Sequence, residues 1–302
     1  MVFQIGRANA AVAAWRRCER VPFESSRIPP VAVLRPVMEY AAVPVMLASP
    51  TGHLWVANDG KPADPAQYYA CLGIAHLADA MRTVEGAVTP TQLRSLLGQC
   101  VAGQTVVLCA SRARDRMSDA AYAALRTWAA LGAGIDAFGA VLYELGVVRR
   151  YAWAAEGCPI ARRAHSALWG ALQQDPLVVP QAAAESLSCP ARRVDVEVIT
   201  LRCAPFSPAN RYFPLGVGAA LRELQAVLRG VATRQPTVIF YENTAGLWKH
   251  PPVRAAVEAM LLACGAYSWE SMYTSPHLHC GDAVRRPRVL YTGILKGALR
   301  AG

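Results

Sequence analysis

Two polar groups stand where strand-like apolar runs stop. The run from Val194 to Leu201 leads into Cys203, followed by Pro205, Phe206 and Ser207, and the run from Val238 to Tyr241 ends in Glu242-Asn243. In an α/β sheet, strands carry reactive groups to their carboxyl ends, where the loops build the site. A nucleophilic cysteine with a carboxyl partner on a neighbouring strand end suits covalent catalysis on an electrophilic ring. Only a small fraction of an ordinary cysteine is thiolate at neutral pH, so the nucleophile needs activation; Arg202, the preceding residue, is placed to supply it if it faces the site. The competing reading of Cys203 is a buried strand-end cysteine, the usual state of this residue. That of Glu242 is a surface acid before a turn, yet surface acids rarely follow a run such as Val-Ile-Phe-Tyr.

The elements that must position these groups are legible around them. Arg286 and Arg288 alternate along a strand-like segment and so point to one face, with Arg285 left on the other as part of a basic edge. Upstream, Ala129 to Gly146 reads as a strand, a glycine-containing turn at Gly132 to Asp136, and a helix. Small residues there let the backbone approach a ligand, and the helix N-terminus favours an anionic group. A further strand, Arg150 to Ala155, delivers Glu156, whose carboxylate can accept hydrogen bonds from two vicinal hydroxyls. The segment Ala219 to Ala232 is an amphipathic crossover helix. These features predict an α/β fold, a mostly parallel sheet with helices on both faces.

The three segments Arg202-Cys203-Ala204-Pro205-Phe206-Ser207, Glu242-Asn243 and Val284-Arg285-Arg286-Pro287-Arg288 occur in the order of three motifs, Pro-Cys-Gln-x-Phe-Ser, Glu-Asn-Val and Gln-x-Arg-x-Arg. On them the chain resembles the DNA (cytosine-5) methyltransferase family. The resemblance implies a Rossmann-like S-adenosylmethionine-dependent methyltransferase fold. In it Cys203 would add to carbon 6 of a flipped cytosine, and Glu242 would hydrogen-bond N3 and the exocyclic amine. Arg286 and Arg288 would grip the base carbonyl and order the cysteine loop. Phe206 and Ser207 would belong to a mobile loop closing over the base, and Asn243 would fix the turn behind Glu242. The turn at Gly132 to Asp136 resembles the family's Asp-Leu-Phe-x-Gly-x-Gly loop, so Ala133, Gly134, Ile135 and Glu156 would hold S-adenosylmethionine.

What precedes that turn resembles the motifs that normally close the family's chain: Ala42 to Ser49, the helical Pro65 to Ile74, and Gly98-Gln99-Cys100-Val101-Ala102 followed by a helix. Gln99 and Val101 would then also touch the cofactor. This reading makes the chain circularly permuted, with its ends where the family inserts its target-recognition domain; permutation is tolerated at exposed termini. The expected organisation is a basic arm over 1–30, the permuted segment over 31–115 and the cofactor-binding and catalytic core over 116–302. No recognition domain is left over. Either a separate target-recognition or regulatory subunit supplies it, or the substrate is bound with little sequence choice.

The departures from the family cluster on the cofactor side. Ala130 stands where a leading Asp is expected, Gly132 replaces an aromatic, Asp136 replaces a glycine, and Gly157 replaces the large apolar residue after the acid. No clear Asp follows the third strand, near Val178 to Glu185. Two readings of different class therefore remain: an active cytosine-5 methyltransferase, or an inactive paralogue acting as a nucleic-acid-binding or partner-binding subunit. A third keeps the covalent chemistry with a different donor or an RNA substrate.

Composition bounds these readings. A chain of 302 residues can bury a large core, and a formal charge of +10 favours a polyanionic partner, DNA or RNA. No apolar run reaches the roughly 18 residues of a membrane span, so no membrane partner is expected. Nine scattered cysteines suit an intracellular, reducing compartment, nuclear or cytoplasmic, better than a disulfide framework. In the first thirty residues, Glu19 and Glu24 among the arginines argue against a transit peptide. The cluster His277, His279, Cys280 and Asp282 lacks a second ligand pair, so no metal is expected.

Overall fold

The computed structural model describes residues 31–34, 53–56, 61–62, 69, 74, 77–97, 100–101, 103–179, 181, 192–201, 203–207, 214–274 and 287–301. The chain divides into two compact units, Met1–Thr105 with Ser275–Arg286, and Val106–Thr274 with Pro287–Gly302. In the first unit, strands β1 (Val31–Leu34), β2 (His53–Val56) and β3 (Lys61–Pro62) form a small sheet in that order, β1 parallel and β3 antiparallel to β2. Helices α1 (Ala78–Ala87) and α2 (Pro90–Leu97) follow. A reciprocal cap starts α2: the Gln92 N–H donates to Thr89 Oγ1 at 3.3 Å and the Thr89 N–H to Gln92 Oε1 at 3.0 Å, satisfying two donors that the helix leaves unpaired.

Helix α3 (Gly103–Arg116) leads into the second unit. There the order is α4 (Asp119–Ala123), β4 (Thr127–Leu131), α5 (Ala137–Glu144), β5 (Arg150–Ala155), α6 (Pro159–Ala171), β6 (Leu177–Val179), β7 (Val196–Ile199) and a 3₁₀ turn at Ala204–Phe206. Then come α7 (Val217–Arg234), β8 (Val238–Thr244), α8 (Ala245–Lys249), α9 (Pro251–Leu262), β9 (Tyr267–Thr274) and β10 (Arg288–Leu295). Seven strands make one sheet ordered β6-β5-β4-β7-β8-β10-β9. The pairs from β6 to β8 are parallel, while β10 runs antiparallel to both β8 and β9.

Each face of this sheet is covered, as near-continuous apolar parallel strands require. One face carries Leu131, Trp153, Ile199, Tyr241 and Tyr291 and packs against the apolar stripe of α7, Val217, Ala220, Leu224, Val227, Leu228 and Val231, and against Val257 and Leu261 of α9. Burying each such leucine or valine contributes about 1.5–3 kcal/mol. The other face meets α5 through Phe138 and Phe240, with ring centroids 5.2 Å apart. It meets α6 through Trp169, whose ring lies edge-on to Trp128 at 5.3 Å. A register shift between β4 and β5 sends Tyr151 to the Trp128 face and Trp153 to the opposite one.

The expected α/β class is therefore observed, and the order of chain reversal sets the site. From β4 the sheet grows one way through β5 and β6 and the other way through β7 and β8, so a crevice opens outside the carboxyl ends of β4 and β7. One boundary differs from expectation. Glu242 and Asn243 lie inside β8 rather than beyond it, because β10 pairs alongside as far as Thr244 and extends the strand. Among the described residues, no helix is long and apolar enough to cross a membrane.

Candidate active site

The turn after β4 is built on positive backbone angles. Gly132 (φ +67) sits against the end of β7, where an added Cβ would lie 2.4 Å from the Thr200 carbonyl oxygen, and the Thr200 hydroxyl donates to the Gly132 carbonyl at 2.8 Å. An aromatic at this position has no room, so the departure at Gly132 follows from a close approach of two strand ends. Gly134 (φ +55) opens onto free space. Its N–H donates to Glu156 Oε2 at 2.7 Å, and the Cys158 N–H donates to Oε1, also at 2.7 Å. The buried Glu156 carboxylate is thus fixed by two backbone donors and keeps further lone pairs for hydroxyls. Ala133 and Ile135 are buried on either side of Gly134.

Asp136 takes the left-handed conformation (φ 52, ψ 52) that glycine would supply, a region that Asp tolerates through local hydrogen bonds. Its side chain accepts from the Gly139 N–H at 2.8 Å, capping α5, and from the Trp128 indole at 3.1 Å. Gly139 is required here, since an added Cβ would come within 2.2 Å of the carboxylate. Behind it Tyr151 and His165 form a buried pair, with the hydroxyl 2.9 Å from Nε2. This polar group, missed in the sequence because its members lie on four separate elements, sits among the rings of Trp128, Tyr151 and Trp169. Burial pushes the Asp136 carboxyl up from 3.8 to about 6, partly offset by hydrogen bonds from Gly139, Trp128 and Tyr151. Burial also lowers His165 to about 3, so the imidazole is neutral.

An acid raised by burial favours folding most when protonated. Asp136 therefore contributes most below about pH 4, and its ionisation removes on the order of 3 kcal/mol as pH rises to 6. Asp136→Asn is expected to abolish that slope, leaving only a pH-independent offset from the amide facing Trp128. Urea unfolding of both proteins between pH 4 and 7 measures it; parallel stability curves would contradict the assignment.

On the acceptor side, Glu242 and Arg288 meet. Leu290 is the cross-strand partner of Glu242 and Arg288 that of Thr244, so the arginine reaches diagonally along one face. Its Nε lies 2.6 Å from Glu242 Oε1, a close ion pair whose N–H is not aligned on the carboxylate. Both residues are buried, and the Arg288 Nη1 also donates to the Pro287 carbonyl at 3.0 Å. Cys203 follows the adjacent parallel strand. Ile199 pairs with Tyr241, so Cys203 lies beyond the carboxyl end of β7, beside the strand that carries Glu242. Its half-buried thiol is not in a disulfide, and its carbonyl accepts from the Phe206 N–H at 3.0 Å. Phe206 is an anchor, 2 % exposed in the core with Val217 and Leu247, rather than an open part of the loop. Ser207 follows it, half-buried, and its N–H donates to Ala204. Asn243 is buried within β8 just before the strand gives way to α8: its Nδ2 donates to the Tyr241 hydroxyl at 3.1 Å and its Oδ1 accepts from the N–H of Thr244, the N-cap residue of α8.

The structure thus brings Glu242, near the carboxyl end of β8, to Arg288 at the amino end of the antiparallel β10, and Gly134, after β4, to Glu156, after β5. Val101 is buried in the first unit. Arg202, Arg286, Gln99 and the cluster from His277 to Asp282 lie outside the described residues, and among those described no group of three metal-ligating side chains occurs. After β6, Gln181 occupies the space beside Gly157, where an added Cβ would meet its Oε1 at 3.4 Å, and its amide donates to Glu223 of α7. A polar side chain thus stands where the sequence promised neither an apolar wall nor a polar contact.

Sheet order, the antiparallel β10 and the carboxyl-end turn define the class: this is the Rossmann-like S-adenosylmethionine-dependent methyltransferase fold. No family model and no curated protein matches the sequence. Among solved structures the chain is similar to S. pombe Dnmt2 methyltransferase, at 17% identity over 59% of this chain and 51% of that one, with a TM-score of 0.43. Spodoptera frugiperda DNMT2 gives 16% identity over 56% and 50%, with a TM-score of 0.43. The O-methyltransferase TomG from Streptomyces achromogenes, involved in tomaymycin synthesis and solved with SAM, gives 12% identity over 77% and 91%, with a TM-score of 0.44. The match spans about half the length of the two Dnmt2 chains.

Proposed function

We propose that this protein is an S-adenosylmethionine-dependent methyltransferase that modifies carbon 5 of a cytosine held out of its strand, through a covalent adduct on Cys203. The observation that carries the reading is the buried Glu242–Arg288 pair on adjacent strands, beside the loop that bears the thiol. Cys203 adds to carbon 6 while Glu242 hydrogen-bonds N3 and the exocyclic amine and passes a proton to N3. Arg288, with Arg286, holds the base carbonyl. The electrons that leave the 5,6 double bond make carbon 5 nucleophilic. Once carbon 5 carries the new methyl group, loss of its proton, departure of the thiolate and return of the N3 proton to Glu242 restore the ring.

The cofactor side fits the group's polar parts. Gly134 presents an open backbone surface and Glu156 an oriented carboxylate for a ribose diol, between Ala133 and Ile135. Bound there, S-adenosylmethionine supplies an electrophilic methyl group. The permuted order remains part of this proposal. It is supported by the helix α3 that follows Gly98 to Ala102 and by the succession of seven strands from β4 to β10 in one sheet. DNA or RNA is the partner in this reading, with a second subunit supplying target recognition. The inactive-paralogue reading draws its support from Gly157, which leaves Gln181 rather than an apolar wall beside the nucleoside position.

Calorimetric titration of S-adenosylmethionine separates the two. Saturable binding is expected, weakened about tenfold to a hundredfold in Glu156→Ala, the loss typical of hydrogen bonds to a charged group. No binding up to millimolar ligand would remove the enzyme reading and leave the paralogue.

A further inference from the structure

One rung of the sheet carries two hydroxyls that the chemistry above does not use. Arg288 on β10 is the cross-strand partner of Thr244 on β8 and of Thr274 on β9. Directly paired residues of antiparallel strands project to the same face, so the two threonines stand on either side of Arg288 on the face that its side chain takes. All three are more than nine-tenths buried, with exposures of 7% for Thr244, 9% for Arg288 and 0% for Thr274. Neither hydroxyl has a hydrogen-bond partner among the described residues, and the Arg288 Nε–H is likewise unaligned with any acceptor.

Buried hydroxyls are ordinarily paired, and leaving one unpaired disfavours folding. Strand preference does not explain them: valine has the same branching and packs equally well in a strand without a polar atom to satisfy. The motif that Glu242-Asn243 resembles has valine at the next position, where this chain has Thr244. Glu242 lies on the same face, two residue pairs along, and touches the guanidinium at 2.6 Å. The positive charge of the rung is therefore already balanced, and a phosphate or carboxylate would have to compete with Glu242. A neutral ring edge carrying both donors and acceptors has no such conflict, and a threonine hydroxyl rotates to give or accept a hydrogen bond.

We infer that Thr244 and Thr274 are binding residues of the acceptor site, hydrogen-bonding the polar edge of the neutral heterocyclic base that Glu242 and Arg288 face. The inference rests on the nucleobase reading of that site and adds two specificity-determining contacts to it. The test uses the full chain carrying Cys203→Ser, so that binding is reversible. Fluorescence anisotropy compares a single-stranded oligonucleotide with one cytosine against the same strand abasic at that position.

The cytosine strand is expected to bind more tightly, and that preference to fall about three- to tenfold on adding Thr244→Val or Thr274→Val. Both valine variants should melt no lower than the parent, and Thr274→Ser should keep the preference. An undiminished preference in both valine variants overturns the inference while leaving the base site intact. So does a Thr274→Ser protein that loses it as valine does, since packing and not the hydroxyl then matters. If the parent itself shows no preference for cytosine over the abasic strand, the nucleobase reading fails and the inference falls with it.

Discussion

Cys203→Ser is expected to lower methyl transfer by at least about a thousandfold and to abolish the covalent adduct with a 5-fluorocytosine oligonucleotide. The reason is chemical rather than structural. A serine hydroxyl is a far weaker nucleophile than a thiolate near neutral pH, and removing the nucleophile from a set that acts as a unit forfeits nearly the whole acceleration. Cys203 is half-buried beyond the end of β7, and the segment is held by Phe206 in the core, so the exchange of sulfur for oxygen should leave the melting temperature unchanged. Denaturing electrophoresis of the trapped complex reads the adduct and transfer of a radiolabelled methyl group reads the rate. An adduct persisting in the serine protein, or absent from a wild-type protein that binds S-adenosylmethionine, would remove Cys203 from its assigned role.

Arg234→Ala should cost about 3–5 kcal/mol of folding stability, far from any substrate. Glu197, 0% exposed in the middle of β7, accepts hydrogen bonds from Nε and Nη2 of Arg234, at the last turn of α7. The guanidinium also lies over the Trp153 ring, 5.1 Å from its centroid. Its place is made by Gly230, where a Cβ would meet Nη1 at 2.6 Å. Removing the arginine strands a carboxylate in the core, which is what makes the loss large. Burial raises the Glu197 carboxyl, and Arg234 pulls it back. Without the arginine it rises further, so ionising it on the way to neutral pH disfavours the fold more. The deficit of Arg234→Ala should accordingly be larger at pH 8 than at pH 5. Replacing both partners, as in Glu197→Leu with Arg234→Met, should recover most of the loss because no charge is then left unpaired. Urea denaturation of the three proteins, wild type, Arg234→Ala and the double variant, at the two pH values decides it. A single variant within 1 kcal/mol of wild type would contradict the account.

Much of the scaffold was legible because its signals are local. Arg150 to Ala155 reads as a strand ending at Glu156, and so it is. The apolar spacing from Ala219 to Ala232 announces the crossover helix, which extends to Val217 and Arg234. Alternation along the apolar runs places Cys203 and Glu242 near strand ends, where α/β sheets keep their chemistry. The cofactor turn was legible as a turn, but its departures were not interpretable. Gly132 is explained only by the Thr200 carbonyl against it, and Asp136 only by the Gly139 amide and Trp128 indole that hold it in a left-handed conformation.

The residues by themselves determined that strands lead to Glu156, Cys203 and Glu242 and that the class is α/β. These follow from periodicity and side-chain chemistry within a few residues of each position. The tertiary structure alone decided which of them meet. Period-two alternation would put Tyr151 and Trp153 on one face, and a register shift against β4 sends them to opposite faces. The apolar run stops at Tyr241, and pairing with β10 carries the strand on to Thr244. The β8–β10 register, set between segments more than forty residues apart, brings Arg288 to Glu242, and with the β9–β10 register it sets Thr244 and Thr274 on either side of Arg288. Cross-strand register depends on packing the whole sheet against its helices, and no local pattern encodes it.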